Sequence, residues 1–565
     1  MSELAEAVAH AGLNYRKRRG TRDLSSSGLA RILKQQFAWG TMPASTVQAI
    51  AQAARDDGLE HPEIMDLSDI GTSGMWAANC RRDLLRLLSR DKEIQVPEPK
   101  YFNVPFLDRK GKEKIHRHPI LLPHELLHAI ATKYPEHFAS LQRFSCRDFW
   151  RKLDRTDPKF LHHPIRDEPQ KEKCGMPLII HGDGAVYTSR QGSILSLQFK
   201  PLQALGKSSW DSVFMMTAFA KQAATAGTYR AVWEPIVRSF KAAYDLGVAG
   251  GQIHGVPWLV SADMEFLAND LDFPHWSQRG GCCCFCDVAW EGPVHVRDPE
   301  GFTSVASGDN TAISDHPIWD IPGLGRHSAP YEFMHTNDLG VLTNLVGSAL
   351  AECMQEGPRT HRDNLADLWN SVPNGVLAVY KEKNVDCSNR VAGITKEMLN
   401  GQNGKFYNLS RVKAAELRHL VPVLGEVLKR RDSGSDRDGH RIRAFEHMST
   451  VIAVVHKAGL FLSPAQHAEF KTAYGLFLEH YNCLRHMAAQ SGRAMYNITF
   501  KFHAMHHVIH YARWCNPAAH WCYGFEDFMG KVVRAAQACM HGTPPHLVGR
   551  KVLENYRLAL HLQMT

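Results

Sequence analysis

Apolar residues recur at three- and four-residue spacing through residues 26 to 92, with acidic residues, Ser and Thr between them, which predicts a run of helices. Residues 93 to 120, which include VPEPKYFNVPFLDRKGKEKIHRHP, are dense in proline and charge and read as a connector. A further helical stretch runs from about 123 to 153, and 154 to 175 is again polar and proline-bearing. The texture then changes. MPLIIHGDGAVYT (176 to 188) is a short apolar run closing in a turn, SILSLQFKPL (193 to 202) alternates as a strand does, and SVFMMTAFA (212 to 220) is a third strand candidate. VWEPIVRSFKAAYDLGV (232 to 248) has helical periodicity, and GVPWLVSAD (255 to 263) is another buried strand. A glycine- and aspartate-rich loop extends to about 330. Residues 331 to 495 then read mostly as helices, broken by the polar loop KRRDSGSDRDGHRIR (429 to 443), and the rest of the chain is helical and rich in His, Trp and Cys.

Three successive strands, a helix and a fourth strand is the order of a ribonuclease-H-like core. The expected class is α+β and mostly helical: a ribonuclease-H-like mixed sheet interrupted by a large all-α insertion, with an N-terminal helical region. The expected divisions are 1–95 (N-terminal helical region), 96–173 (connector and helical segment), 174–290 (first part of the core), 291–495 (loop and insertion) and 496–565 (C-terminal helices completing the core).

Candidate chemistry sits at the strand ends. Asp183, in HGDG, ends an apolar strand and is flanked by glycines that permit close approach of backbone or substrate. Asp263 ends the WLVSAD run, where an aspartate also serves to cap a following helix such as ADMEFLANDL. On the first and fourth strands of the expected order, the two carboxylates would meet at one edge and offer hard oxygen ligands to Mg²⁺ or Mn²⁺. Glu526, in WCYGFEDFMGKVVRAAQ, falls at the flank of an apolar helical face formed by Phe525, Phe528, Met529, Val532 and Val533, whereas Asp527 points away from it. A flanking carboxylate can reach a site beside the core.

RGGCCCFCDVAW (279 to 290) holds one C-x-x-C pair, Cys283 and Cys286, with no second pair in zinc-finger range. KFHAMHHVIHYARW (501 to 514) places His503 and His507 four apart on one helical face, and the two halves together make a Cys₂His₂ set suited to zinc. His506 and His510 form a competing pair on another face, and Cys282 and Cys284 leave the cysteine register open. A rival motif is PHELLHAI, in which His124, Glu125 and His128 have the H-E-x-x-H arrangement of zinc metalloproteases. Pro123 puts these histidines in the first helical turn, and no glycine-and-third-histidine extension follows.

The blocks HGDG, SADMEFLAND followed by CCCFC, EFMHTNDLG, KFHAMHH and YGFEDFMG resemble, in order and spacing, those of the DDE cut-and-paste transposases. The similarity is to the CACTA-type group and its relatives, which include the V(D)J recombinase catalytic subunit. It covers roughly residues 175 to 565 in patches. The resemblance implies that Asp183, Asp263 and Glu526 bind two catalytic Mg²⁺ or Mn²⁺ ions, and that Cys283, Cys286, His503 and His507 bind structural Zn²⁺. It also implies that His335 is an active-site neighbour, with Asp338 a polar companion. The function expected from it is endonuclease and strand-transfer chemistry on double-stranded DNA during transposition, by a nuclear homo-oligomer. Two alternatives are a catalytically silent, transposase-derived DNA-binding protein and the metalloprotease. The chain departs from the family in its extra thiols and in the absence of zinc-finger spacing near the N-terminus.

Composition refines this only a little. With 66 Lys and Arg against 58 Asp and Glu, the charge of +8 leans gently toward a polyanionic partner. Arg16 to Arg19, the 109 to 117 segment, and Lys531 and Arg534 are candidate phosphate contacts, and RKRR also reads as a nuclear address. Thirteen cysteines without a secretory leader suit reduced thiols and metal ligands inside a cell. No apolar run reaches the length of about 18 residues that a membrane span needs.

Overall fold

The computed structural model describes residues 27–90, 94–188, 192–278, 282–286, 314–401 and 405–565, and the protein is α+β and mostly helical. The predicted N-terminal helices are α1 (Gly28–Ala38), α2 (Ala44–Asp56), α3 (Pro62–Ser73) and α4 (Ala77–Arg90). Ser27 caps α1 by accepting from the Ala30 amide at 3.2 Å, and Pro62 occupies the first turn of α3, where no amide is needed. The basic run Arg16 to Arg19 lies outside the described residues.

The expected connector is instead a β-hairpin. β1 (Lys100–Leu107) and β2 (Glu113–Ile120) pair antiparallel from Lys100 opposite Ile120 to Leu107 opposite Glu113. Asp108 sets the turn, its Oδ1 accepting from the Lys110 and Lys112 amides at 2.8 and 3.1 Å. Two prolines and a charged outer face hide the alternation in the sequence, since only Val104, Phe106 and the end of β2 are buried. The basic 109–117 segment forms this turn and most of β2. The Leu121 amide bonds Met216 O at 2.8 Å, tying the hairpin to the core, and α5 (Pro123–Lys133) follows.

β3 (Gly175–Val186), β4 (Ser193–Pro201), β5 (Phe214–Ala220), α6 (Ala226–Asp245) and β6 (His254–Val260) fall where the apolar runs predict them. The sheet order is β5–β4–β3–β6, with β3–β4 and β4–β5 antiparallel and β3–β6 parallel. Covering elements bury the inner strands on both faces, so residues 176 to 182 of β3 are buried without interruption. One irregularity matters later. Leu178 pairs with Pro257 but Ile179 pairs with Leu259, so Trp258 is a bulged residue that advances β6 by one position.

After β6 comes α7 (Met264–Asp270). Further along, a π-helical segment, Met334–Val341, runs directly into α8 (Leu342–Glu356). The helices α9 (Ala414–Arg430), α10 (Asp436–Lys457) and α11 (Pro464–Gln490) follow. Two departures from expectation occur here. A two-stranded ribbon, β7 (Leu399–Asn400) and β8 (Asn408–Leu409), interrupts the stretch expected to be all helical. The expected loop 429–443 shrinks to the short link between α9 and α10, because Ser435 caps α10 and the buried Glu352 takes the Arg441 guanidinium at 3.2 Å.

The chain then returns to the sheet through α12 (Phe500–Tyr511), α13 (Tyr523–Met540) and α14 (Pro545–Met564). α14 lies against β5, where a side chain on Gly549 would collide with Ala218 O at 1.8 Å, and Tyr556 Oη accepts from the Met215 amide at 3.0 Å. α1 packs on the same helix, with Gln35 donating to Leu562 O at 3.0 Å. No helix among the described residues is long and apolar enough to cross a membrane.

Candidate functional site

The Trp258 bulge sets the geometry at the end of the sheet. Before it, pairing partners on β3 and β6 differ by 79 in number (257 − 178); after it they differ by 80 (259 − 179), as do Ile180 and Val260. Asp183 and Asp263 also differ by 80, the same offset, and Asp263 is near enough for its charge to raise the Asp183 carboxyl. The Ser261 amide bonds Ile180 O at 2.9 Å, carrying the pairing one residue past β6. Asp263 also caps α7, its Oδ1 accepting from the Phe266 amide at 2.6 Å. The capping reading of Asp263 is thus borne out, with the residue lying beyond the end of β6 at Val260. α7 sits close because residue 182 is glycine: a Cβ there would lie 2.0 Å from the Phe266 ring. Asp183 Oδ1 takes the Gly184 amide at 2.6 Å.

α13 brings in the third carboxylate. Its Phe525 ring stacks on His181, two residues before Asp183, at 4.2 Å and 12°. Glu526 is half-buried beside this stack, and Asp527 turns outward to pair with Lys531 at 3.0 Å. Lys531 is thereby committed, with its ammonium 3.9 Å from the Trp210 ring centre, and is no free phosphate contact. Burial, and then the negative charges of Glu526 and Asp263, push the Asp183 carboxyl up to about 8. Three acids therefore share one field. They are spread more widely than the ligands of one ion, because they do not form a group whose oxygens all lie within 4.8 Å of one another.

His335, on the π-helical segment, reaches Glu526 Oε1 with Nε2 at 3.4 Å and Glu332 Oε1 with Nδ1 at 2.5 Å. Short π-helical stretches often mark functional positions. Burial opposes the charge on His335, but Glu332, Cys522 and Glu526 outweigh it and hold the imidazolium well above the ordinary histidine range. Glu332 is buried and its carboxylate accepts from three backbone amides: Met334 at 2.9 Å, Cys522 at 3.2 Å, and His335. Burial pushes its pKa up, and His335 with these amides brings it below the ordinary carboxylate value. Glu332, His335 and Cys522 lie within metal-ligand distance of one another. The Glu332 oxygens face N–H donors, however, so this is a hydrogen-bonded cluster ill suited to a cation. Asp338 is close by and bonds Tyr523 Oη at 2.5 Å, which anchors the start of α13.

Sequence reasoning reached Asp183, Asp263, Glu526 and His335 but missed Glu332. The signal available was the i, i+3 spacing to His335 in EFMH.

A second cluster joins the cysteine segment to α12. Cys283 Sγ lies 3.2 Å from His507 Nε2, and Cys286 Sγ lies 3.4 Å from His503 Nε2 and 3.5 Å from His507 Nε2. All four ligand atoms are mutually within 4.8 Å. Two thiol sulfurs and two imidazole nitrogens converging on one point fit a tetrahedral zinc-type ion. Of the alternatives open in the sequence, Cys284 instead contacts Tyr331 Oη at 3.7 Å, His506 packs edge-on against Tyr474 and His510 against Trp514.

The H-E-x-x-H residues are not assembled as a metal site. His128 Nδ1 accepts from the Ala249 amide at 3.2 Å, which leaves the proton on Nε2. Ser239 Oγ accepts from the His124 amide at 3.1 Å and meets its Nδ1 at 2.7 Å, while Glu125 pairs with Lys100 at 3.6 Å. Comparison with known proteins adds no assignment, since no family model and no curated protein sequence matches this chain.

Proposed function

We propose that this protein is a DDE-type, CACTA-like nuclease and strand transferase that cuts and rejoins double-stranded DNA at transposon ends. The observation that carries the reading is the electrostatic effect of Glu526 and Asp263 on the buried Asp183 carboxyl, with His335 against Glu526. The strand order β5–β4–β3–β6, with one parallel pair, is that of the first four strands of a ribonuclease-H-like core, and it supports the same reading. So does the arrival of Glu526 from a distant helical part of the chain.

Asp183, Asp263 and Glu526 would hold two Mg²⁺ or Mn²⁺ ions, which when bound supply Lewis acidity to the attacking and leaving oxygens of a phosphodiester. Their hard oxygens suit such ions, and the like-charge crowding on Asp183 is the kind that a cation relieves. His335 orients the Glu526 carboxylate. Cys283, Cys286, His503 and His507 would hold Zn²⁺, stapling the segment after α7 to α12 and so fixing the helices that deliver Glu526. Nuclear location and a homo-oligomer follow from this reading.

The test is cleavage of supercoiled and linear DNA in Mn²⁺ by the purified protein and by Asp183→Asn, Asp263→Asn and Glu526→Gln. Loss of cutting in all three supports the proposal. DNA binding without cutting by the wild type would favour the silent DNA-binding protein.

A further inference from the structure

We propose that Glu332 is a positioning residue for Glu526, gripping both the His335 ring and the backbone that starts α13. This deepens the reading of the carboxylate site proposed above and rests on it. The observation is the number of separate structures that converge on one buried side chain. Its Oε1 takes the His335 ring at 2.5 Å and the His335 amide, and its Oε2 takes the Met334 amide at 2.9 Å. Oε2 also takes the Cys522 amide at 3.2 Å, four residues before Glu526 (526 − 522). Cys522 in turn lies 3.3 Å from Ser261 Oγ, two residues before Asp263. One carboxylate therefore joins the π-helical segment to the residue that precedes α13, and the Cys522 thiol carries the link on to Ser261, just past β6.

The ring contact has a directional consequence. Nδ1–H is given to Glu332, which fixes the plane of the imidazole and aims Nε2 at Glu526 Oε1, 3.4 Å away. Without Glu332 the ring keeps only its Cys522 and Glu526 contacts, and the approach of Nε2 to Glu526 loses its restraint. Hydrogen-bonded partners one step behind metal ligands commonly set metal affinity by 10- to 100-fold. Glu332 is 1 % exposed, and its two oxygens are taken up by the His335 ring and by the Met334, His335 and Cys522 amides.

The test compares wild type, Glu332→Gln and Glu526→Gln. Mn²⁺ affinity is read by titration, and the His335–Glu526 contact is read from crystal structures of the metal-free proteins. Glu332→Gln is expected to bind Mn²⁺ about 10- to 100-fold more weakly, with zinc content unchanged and with His335 turned away from Glu526. Should that variant fail to fold, Glu332→Asp keeps the charge but shortens the reach, and the same weakening is expected. Mn²⁺ binding equal to wild type, with the His335–Glu526 contact intact, would overturn the proposal. If the wild type itself binds no Mn²⁺, the catalytic reading fails, and the crystal structures alone then decide whether Glu332 holds Glu526 in place.

Discussion

The bulged Trp258 shifts the β3–β6 pairing offset from 79 to 80, the offset that separates Asp183 from Asp263, and Asp263 lies close enough to raise the Asp183 carboxyl. Without it the offset of 79 would extrapolate from Asp183 to Ala262, one position short of the carboxylate. Bulges commonly re-aim side chains near functional sites, and this one has a firm seat: Trp258 packs at a right angle on Trp150 at 5.1 Å. Trp258→Phe keeps the residue count, so it is expected to cost about 1–3 kcal/mol of stability and to leave Mn²⁺ binding in place. Deleting Trp258 is expected to abolish Mn²⁺ binding. A deletion variant that folds and binds Mn²⁺ as well as wild type would sever the link between bulge and site.

The crowding on Asp183 gives a stability prediction of unusual sign. Burial first, and then the charges of Glu526 and Asp263, push its carboxyl up to about 8 from an ordinary 3.8. The unfolded chain therefore loses this proton first, and the metal-free fold is penalised increasingly as pH rises from about 4 toward 8. Asp183→Asn removes the penalty and is expected to stabilise the metal-free protein by about 1–3 kcal/mol at pH 7.5, although it removes a ligand. Chemical denaturation of both proteins in chelator is the measurement. A lower stability for the variant would mean that the three acids do not share one field.

Much of this arrangement was legible in the chain and some was not. The four core strands announced themselves because both their faces are buried, which gives apolar runs too dense for a surface helix. The β1–β2 hairpin did not, since its outer face carries Lys, Arg and His, and prolines sit in both strands. Glu526 could be preferred to Asp527 from helical phase alone. The histidine pair could not be chosen that way, because 503/507 and 506/510 share the same spacing and only the tertiary position of Cys283 and Cys286 separates them. Glu332 left only its i, i+3 spacing to His335 as a signal, since its other partners are backbone amides, which leave no mark in a sequence.

Those cysteines and histidines make a stoichiometric prediction. The protein is expected to carry one tightly held Zn²⁺ per chain. Cys286→Ser or His507→Asn should lose it with a marked fall in Tm, whereas Cys284→Ser should retain it. Elemental analysis after dialysis checks this. Zinc retained by the first two variants, or lost from the third, would place the site elsewhere.

Gly182 is expected to tolerate no side chain. Gly182→Ala sets a methyl against the Phe266 ring, and this overpacking should cost about 1–3 kcal/mol by forcing α7 outward. Adding Phe266→Leu should restore part of the loss, because the two residues are in direct contact. Additive losses in a double-mutant cycle would show that no such clash exists.

A separate pH effect comes from His118, buried in β2. Thr217 donates its hydroxyl to Pro119 O at 3.1 Å, so it accepts from His118 Nε2–H at 2.8 Å. Burial then pushes the ring down to about 3 from its ordinary 6.5. The unfolded chain binds this proton first on acidification, so stability is full above pH 6.5 and falls below it, by about 3 kcal/mol at pH 4. His118→Gln should flatten that part of the acid limb relative to wild type. An unchanged acid limb would contradict the assignment.

The most direct test of the central claim is the anomalous-scattering map of a crystal soaked in Mn²⁺. Two Mn²⁺ peaks bounded by Asp183, Asp263 and Glu526, absent from Asp183→Asn, are the result expected of a two-metal nuclease. A map with no Mn²⁺ among these carboxylates, in crystals whose Cys283–Cys286–His503–His507 site is filled with zinc, would contradict it.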